Sequence, residues 1–119
     1  SYILSMTSPT LTTEPTARTN MRMQLLTDEL KQQLPALGST DGQTEKVAVC
    51  KFFNPTGIGT WFVFEGEETP DGDWMFFGLA DLGHPELGYF NLSGLEAVSL
   101  PFGMGIERDI FFSPQPLDI

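Results

Sequence analysis

The amino-acid sequence predicts an α+β protein, with an antiparallel five-stranded meander sheet, an N-terminal helix and a short helix before the last strand. Strand-like runs follow one another with short segments rich in Gly, Pro and Asn between them, which favours sequential antiparallel pairing. Three of these runs contain a phenylalanine doublet, at Phe52-Phe53, Phe76-Phe77 and Phe111-Phe112. Because neighbouring side chains on a strand point to opposite faces, each doublet is expected to place one ring on each side of the sheet.

The two predicted helices are too small to cover both sides of such a sheet. They can cover one face, which gives a two-layer arrangement. The rings on the other face then need a different cover: the N-terminal leader, a second subunit or a partner protein. The sheet is therefore expected to present aromatic side chains to a partner.

The chain divides by composition into a leader and one domain. Residues 1–20 are rich in Thr, Ser and Pro and show no apolar period, which is typical of a flexible segment. Residues 21–119 are expected to form a single α+β domain, a length that suits one domain.

The first helix is predicted to begin after Thr27, an N-cap residue followed by two acidic residues. Pro35 ends it at Leu34. Leucines spaced by four and three residues give it an apolar stripe. These are Leu26, Leu30, Leu34 and Leu37.

Five runs with strand composition follow the first helix. The second helix is expected to start at Ser93, which has capping-box spacing to Glu96, and to end near Val98. Pro114 and Pro116 are expected to end the sheet. The predicted strands are Val47–Phe53, Thr60–Glu65, Trp74–Leu79, Tyr89–Leu92 and Ile106–Phe112.

Charge and cysteine content exclude several classes of protein. The net charge of −10 repels nucleic acid and anionic lipid, so we expect no direct nucleic-acid binding and no membrane, and a protein partner or homo-oligomer instead. One cysteine allows no internal disulfide and no cysteine-based zinc site. No phosphate-loop or dinucleotide motif is present, and we expect no cofactor and a cytoplasmic location.

A cluster of carboxylates lies between the second and third predicted strands. It could bind a divalent cation, or imitate the phosphates of a nucleic acid toward a basic protein. A solvated hairpin loop is the interpretation we favour, because the spacing does not match an EF-hand. The cluster contains Glu65, Glu67, Glu68, Asp71 and Asp73.

Two single residues have possible chemical roles. His84, the only histidine, lies in a predicted loop and more often braces such a loop than acts as a general base. Cys50 alternates onto the side of Ala48 and Phe52, so we expect a core thiol rather than a nucleophile.

Charged residues at the start of the last strand form a further candidate group. Arg108 is expected on the apolar side, paired with a carboxylate and bracing the sheet; binding of an anion or partner is the alternative. The full set of candidate interaction or bracing residues is Phe52, Phe76, Phe112, Trp61, Glu107, Arg108 and Asp109. The buried ring of a doublet is expected at Phe77 or Phe111, with its neighbour facing the partner.

A set of short motifs occurs in order along the chain. The motifs are Leu25-Leu26-Thr27 through Leu34-Pro35, Lys51-Phe52-Phe53, Thr60-Trp61-Phe62, Phe76-Phe77-Gly78-Leu79, Glu86-Leu87-Gly88-Tyr89-Phe90, Leu95-Glu96-Ala97-Val98, Ile106-Glu107-Arg108-Asp109 and Phe112-x-Pro114-x-Pro116-Leu117. In this order they resemble the domain of unknown function 2958 over about Leu25 to Leu117. The resemblance implies a protein of bacterial plasmids, conjugative elements or phages, with no catalytic residue or cofactor carried over.

Three functions are compatible with these observations. The first is a non-catalytic interaction module of a mobile element, based on the aromatic doublets and the acidity. The second is a nucleic acid mimic that inhibits a host DNA-binding defence enzyme, which needs carboxylates along one face. The third is a small enzyme, which needs His84, Glu86, Glu107 and Asp109 to converge in one cleft.

Overall fold

The computed structural model describes residues 24–118, and the predicted leader lies outside these residues. The described chain is mostly antiparallel sheet with two short α-helices, which confirms the α+β class. In chain order the elements are α1 (Asp28–Gln33), β1 (Glu45–Ala48), β2 (Cys50–Phe53), β3 (Thr60–Glu68), β4 (Trp74–Asp81), β5 (Pro85–Asn91), α2 (Leu92–Glu96), a 3₁₀ turn (Pro101–Gly103), β6 (Glu107–Arg108) and β7 (Gln115–Asp118).

Helix α1 has the predicted boundaries. The Thr27 hydroxyl accepts a hydrogen bond from the Leu30 amide at 3.2 Å, and the helix ends at its C-cap Leu34, directly before proline. Leucines in and beside the helix supply its apolar contacts. Leu26 and Leu34, on either side of it, are buried, and Leu30 within it packs against the same core. A helix this short is stabilised by that packing rather than by its own propensity.

Five strands form one antiparallel sheet in the order β5-β4-β3-β2-β6. The strands from β2 to β5 form the predicted meander. The last strand is a correction: β6 pairs with the free side of β2, so it closes the opposite edge of the sheet instead of following β5. A register irregularity between Val63 and Glu65 makes Phe64 an extra residue in the β3–β4 pairing.

The first predicted strand is two strands that belong to different sheets. β1 pairs with β7 in a separate two-stranded sheet, whereas β2 pairs with β3. The five-stranded sheet ends before the two prolines, as expected, but the chain pairs again in the small sheet, where Pro116 lies opposite Val47. A strand with one neighbour tolerates proline, because the missing N–H has no required partner on its outer side.

The third phenylalanine doublet does not lie on a strand. After β6 the chain turns, and the Asp109 carboxylate accepts a hydrogen bond from the Phe111 amide at 3.0 Å. This side-chain contact favours a turn over continued pairing. Phe111 is 90% exposed, which overturns its assignment to the core.

Helix α2 starts at Leu92 without the predicted capping box. Asn91 is its N-cap and makes no side-chain capping bond. The Ser93 amide donates instead to the Asp73 carboxylate at 3.1 Å, and the Ser93 hydroxyl donates to the same carboxylate at 2.7 Å. The start of this helix is therefore bound by a carboxylate that lies 20 residues away in the chain.

The hydrophobic core lies on one face of the five-stranded sheet, which we call the covered face. Phe52 and Phe76 are both fully buried there, with ring centroids 6.0 Å apart. Leu25, Leu26 and Leu95 from the two helical regions complete the same cluster. The helices thus cover one side of the sheet, as the sequence predicts.

Candidate interaction surface

The opposite face of the five-stranded sheet, which we call the open face, is defined by the strand register. Residues paired across antiparallel strands share a face. Lys51 pairs with Phe62, Phe62 with Leu79, and Leu79 with Leu87, so these side chains form one row. A second row contains Glu65, Phe77 and Tyr89, and a third contains Glu107, Phe53, Thr60 and Asp81.

Aromatic and aliphatic side chains dominate this face and remain partly accessible. Tyr89 is 65% exposed and Leu87 is 50% exposed. Phe77 stacks against Tyr89, with 5.1 Å between ring centroids, and Phe62 contacts Phe112 at 6.1 Å. Phe77 also contacts Phe64, at 6.4 Å, and Phe64 is 1% exposed, so the face is partly enclosed around Phe77 and accessible at Leu87 and Tyr89.

The predicted interaction residues fall on both faces. Phe52 and Phe76 are 0% exposed, so their assignment to an interaction surface is wrong. Trp61 pairs with Phe52 and packs against the core, which places it on the covered face. Phe112 lies on the open face beside Phe62. Each strand doublet does divide between the faces, but the accessible rings are Phe53 and Phe77.

The sequence analysis missed the residues that make the open face continuous. Phe62, Leu79, Leu87 and Tyr89 belong to it by register. Alternation along the strands carried this signal, because Leu87 and Tyr89 are two residues apart on β5. Alternation does not show which of the two faces the helices cover.

One end of the open face is closed by the segment between α1 and β1. Glu65 is 1% exposed and accepts hydrogen bonds from the amides of Gly38, at 2.7 Å, and Thr40, at 3.1 Å. The Thr40 hydroxyl also donates to this carboxylate. The Lys46 ammonium donates to the Thr40 carbonyl at 2.6 Å and lies 6.0 Å from the centroid of the Phe77 ring.

The Glu65 carboxyl is ionised in this setting. Burial by itself raises its pKa, but the Thr40 hydroxyl, the two amides and the nearby Lys46 charge outweigh burial and lower the pKa below its usual 4.5. Glu65 therefore binds the turn that closes the face, and it does not belong to an exposed acidic cluster.

Several of the remaining acidic residues of the predicted patch are engaged by other groups, and Asp71 and Asp73 stay together around Thr69. Glu67 accepts a hydrogen bond from the Leu37 amide at 3.1 Å. The Thr69 hydroxyl donates to Asp71 and lowers its pKa, whereas Asp73 is held by Ser93, the Trp74 amide and Asn91. Within residues 24–118, no group of three or more His, Cys, Asp or Glu side chains has the arrangement of a metal site.

Arg108 lies on the covered face opposite Phe52, as alternation predicts. Its Nη1 donates to the carbonyl of Gln24 and, at 3.3 Å, to that of Leu25. Arg108 thereby fixes the chain that leads into α1 to the edge strand of the sheet, a bracing role. On the other side, Asp109 forms an ion pair with Lys51 at 3.7 Å.

The residues of the hypothetical enzyme do not converge. His84 and Glu86 lie at the β5 edge of the sheet, whereas Glu107 and Asp109 lie at the β6 edge. Four strand spacings separate these edges, which is about 19 Å. A single small substrate cannot contact both groups across this distance.

A cleft of about 320 Å³ lies between α1, β2 and the turn after β6, and its lining includes Cys50 and Arg108. Burial raises the pKa of the Cys50 thiol to about 12, although Arg108 opposes the shift. The thiol is protonated at neutral pH, so it is a core side chain as predicted.

Charge is distributed unevenly over the fold. No lysine or arginine lies between Lys51 and Arg108, a stretch that contains β3, β4, β5 and α2. The lysines outside it are engaged: Lys31 with Asp28 at 3.8 Å, Lys46 with Thr40 and Lys51 with Asp109. Among the described residues, the β5 side of the molecule is therefore acidic.

A family model described as "Protein of unknown function (DUF2958)" matches residues 25–117. The chain belongs to the DUF2958 family. The match covers both helices and every described strand of this DUF2958 protein except the last residue of β7, and it agrees with the range expected from the motifs. No curated protein and no solved structure matches the chain with significant similarity. Among the described helices, none combines the length and the apolar character needed to cross a membrane.

Proposed function

We propose that this DUF2958 protein is a non-catalytic protein-interaction module, an accessory protein of a bacterial mobile genetic element, and that the open face binds its partner. The observation that carries the proposal is the row arrangement of Phe53, Phe62, Phe77, Leu87 and Tyr89 on the sheet side opposite the helices. Accessible apolar side chains in contiguous rows are typical of surfaces that bind other proteins.

The charge of the molecule defines the kind of partner. The strands that form the accessible half of the open face belong to the stretch without lysine or arginine. Basic proteins are attracted to such a region, and complementary charge raises the association rate more than the final affinity. A homo-oligomer would use the same face, but a net charge of −10 per copy opposes it at low salt.

The two alternative functions have less support. A nucleic acid mimic needs carboxylates projecting along one face, whereas Glu65 is buried and Asp73 is bound to Ser93 and Asn91. A small enzyme needs its acid and base in one cleft, whereas His84 and Glu107 lie at opposite edges of the sheet.

The test is a comparative pull-down with the tagged full chain from a bacterium that carries such an element. The double variant Leu87→Ser, Tyr89→Ser removes apolar area from the open face without touching the core. We expect it to capture at least tenfold less of the partner than the unmodified chain, measured by quantitative mass spectrometry.

Phe102→Ser provides the matched control. Phe102 is 91% exposed in the 3₁₀ turn, away from the rows of the open face, so this variant removes an accessible ring elsewhere. Equal capture by all three proteins would refute a docking role for the open face. Light scattering on the same proteins decides whether the captured partner is a second copy.

A further inference from the structure

The two edges of the five-stranded sheet differ in how they are protected against pairing with another chain. β6 is two residues long and is followed at once by the turn at Asp109, so it offers little edge. β5 is seven residues long and pairs with β4 without a register break, from Met75–Asn91 to Asp81–Pro85. On its outer side β5 has no neighbour among the described strands.

The usual devices that block an edge strand are scarce on β5. Lysine, bulges and internal proline are the common ones. β5 has its proline at the first position, contains no lysine, and keeps an even register along its length. Within residues 24–118 no strand pairs with its outward N–H and C=O groups, so an added strand could pair with them over most of seven residues.

The side chains of β5 indicate what an added strand would carry. On the open face, Leu87 and Tyr89 end two rows of apolar side chains at the edge, so apolar residues on an added strand would continue those rows. On the other face the strand presents the exposed carboxylate of Glu86 and the bare backbone of Gly88. A side chain built at Gly88 would meet no atom within 4 Å, so this position has room for a long neighbour.

We propose that β5 binds an extended segment of another protein as an additional antiparallel or parallel strand, and that this segment alternates apolar residues with lysine or arginine. The apolar residues pack beside Leu87 and Tyr89, and the basic residues lie beside Glu86 and above Gly88. Charge complementarity selects the basic segment, because β3, β4, β5 and α2 contain no lysine or arginine. Strand addition to a free edge takes its affinity from main-chain hydrogen bonds and its specificity from alternate side chains.

This inference rests on the proposed function, since it names the partner chemistry for the edge of the same face. A second copy of the chain is a poorer occupant of β5, because it would bring Glu86 and the acidic surroundings of one copy against those of another.

The experiment uses the isotope-labelled full chain and three synthetic ten-residue peptides. The first alternates lysine and valine. The second replaces each lysine with glutamate. The third is the lysine–valine peptide with every backbone amide N-methylated, which keeps its charge and side chains but removes the N–H donors from both edges.

We expect the lysine–valine peptide to slow hydrogen exchange at alternate amides of residues 86–91 at least tenfold, and the N-methylated peptide to bind at least tenfold more weakly. The glutamate peptide should not bind. Equal binding of the N-methylated peptide, or protection at β1, β6 or β7 instead of β5, would overturn strand addition. Protection of β5 that rises with protein concentration in the absence of peptide would assign the edge to a second copy and also overturn it.

A variant pair extends the test to the protein. Tyr89→Lys places a positive charge on β5 and should weaken binding of the lysine–valine peptide at least tenfold. Phe102→Lys should leave the affinity for this peptide unchanged. If the Leu87→Ser, Tyr89→Ser variant loses its partner while the N-methylated peptide binds as well as its parent, the open face remains a docking surface and the edge proposal fails. If the peptide pairs with β5 but this double variant keeps its partner, the edge proposal stands and the open face is not the docking surface.

Discussion

The covered and open faces of the five-stranded sheet contain similar aromatic residues in very different surroundings. On the covered face, Phe76 is 0% exposed and contacts Phe52 and Phe90, at 6.0 Å and 5.7 Å between the ring centroids. On the open face, the neighbouring residue Phe77 contacts Tyr89, which is itself 65% exposed. Residue type therefore does not decide burial in this fold. The position of the helices decides it, because they supply leucines to one face alone.

The largest expected effect tests this difference directly. Phe76→Ala should lower the free energy of unfolding by about 3–5 kcal/mol, because it leaves a cavity among Phe52, Phe90 and the helical leucines. Phe77→Ala should cost about 1–2 kcal/mol, since a partly accessible ring loses less buried area. Urea denaturation of both variants measures the comparison. Equal losses would mean that the open face is enclosed as fully as the covered one.

A glycine pair compares the centre of the sheet with its edge. Gly78 and Gly88 are cross-strand partners, but a Cβ at Gly78 would lie 1.9 Å from the Phe62 carbonyl oxygen and a Cβ at Gly88 would meet nothing within 4 Å. Gly78→Ala should lower the free energy of unfolding by about 1–3 kcal/mol or more, because the backbone must move to admit the methyl group. Gly88→Ala should leave the unfolding midpoint nearly unchanged, and a comparable loss there would show that the space beside Gly88 is filled.

Glu65 is the exception on the open face, and its buried carboxylate gives an effect of similar size. Glu65→Gln should lower the free energy of unfolding by about 1–3 kcal/mol at pH 7, since the amides of Gly38 and Thr40 lose a charged acceptor. Urea denaturation followed by circular dichroism measures this free energy for both proteins. Glu67→Gln, on an exposed residue of the same strand, is the matched control and should change stability little.

The same substitution predicts a change in the pH dependence of stability. The pKa of Glu65 in the folded protein is lower than its usual 4.5. The carboxylate therefore stabilises the fold above pH 4.5, and this contribution is lost as the pH falls through the folded-state pKa. The Gln variant should lose stability less steeply on acidification, with a residual slope from Asp71 and Asp73, whose pKa values are also lowered. Parallel curves would show that Glu65 does not supply this pH dependence.

The last prediction concerns the chemical reactivity of the covered face, where the folded protein should show almost none. Cys50 is 3% exposed, and its thiol has a pKa of about 12. A thiol reagent at pH 7.5 should label it only through opening of the fold, so labelling should accelerate by several orders of magnitude in denaturing urea. Fast labelling of the folded chain would mean that the covered face opens readily.

Much of the fold was predictable because local signals and tertiary contacts agree. Thr27 and Pro35 define α1 through capping and the absence of a backbone donor, and both effects are local. The meander from β2 to β5 follows from strand composition and turn residues. The last part of the chain was not predictable in this way, because the side chain of Asp109 favours a turn where composition favours a strand.

The sequence predicted that a surface with aromatic residues exists, but it did not predict which residues form it. Alternation established that each strand doublet divides between two faces, and the register confirms this for Phe52-Phe53 and Phe76-Phe77. The wrong member of each pair was assigned to the interaction surface, because alternation has no information about which side faces the helices. The prediction of an exposed acidic cluster was wrong at Glu65 for a related reason. Glu65 is near Glu67 in sequence, but the turn that begins at Gly38 surrounds the Glu65 carboxylate.

The sequence by itself determined the class of fold, the excess of acidic charge, the division of rings between two sides of the strands, and the family. These properties depend on composition and on local spacing, which a linear chain states directly. Only the tertiary structure decided which side became the core, that β6 joined the far edge of β2, and that β5 was left as the long edge. Such outcomes depend on contacts between segments far apart in the chain, where the gain from burying leucine and phenylalanine together outweighs any local preference.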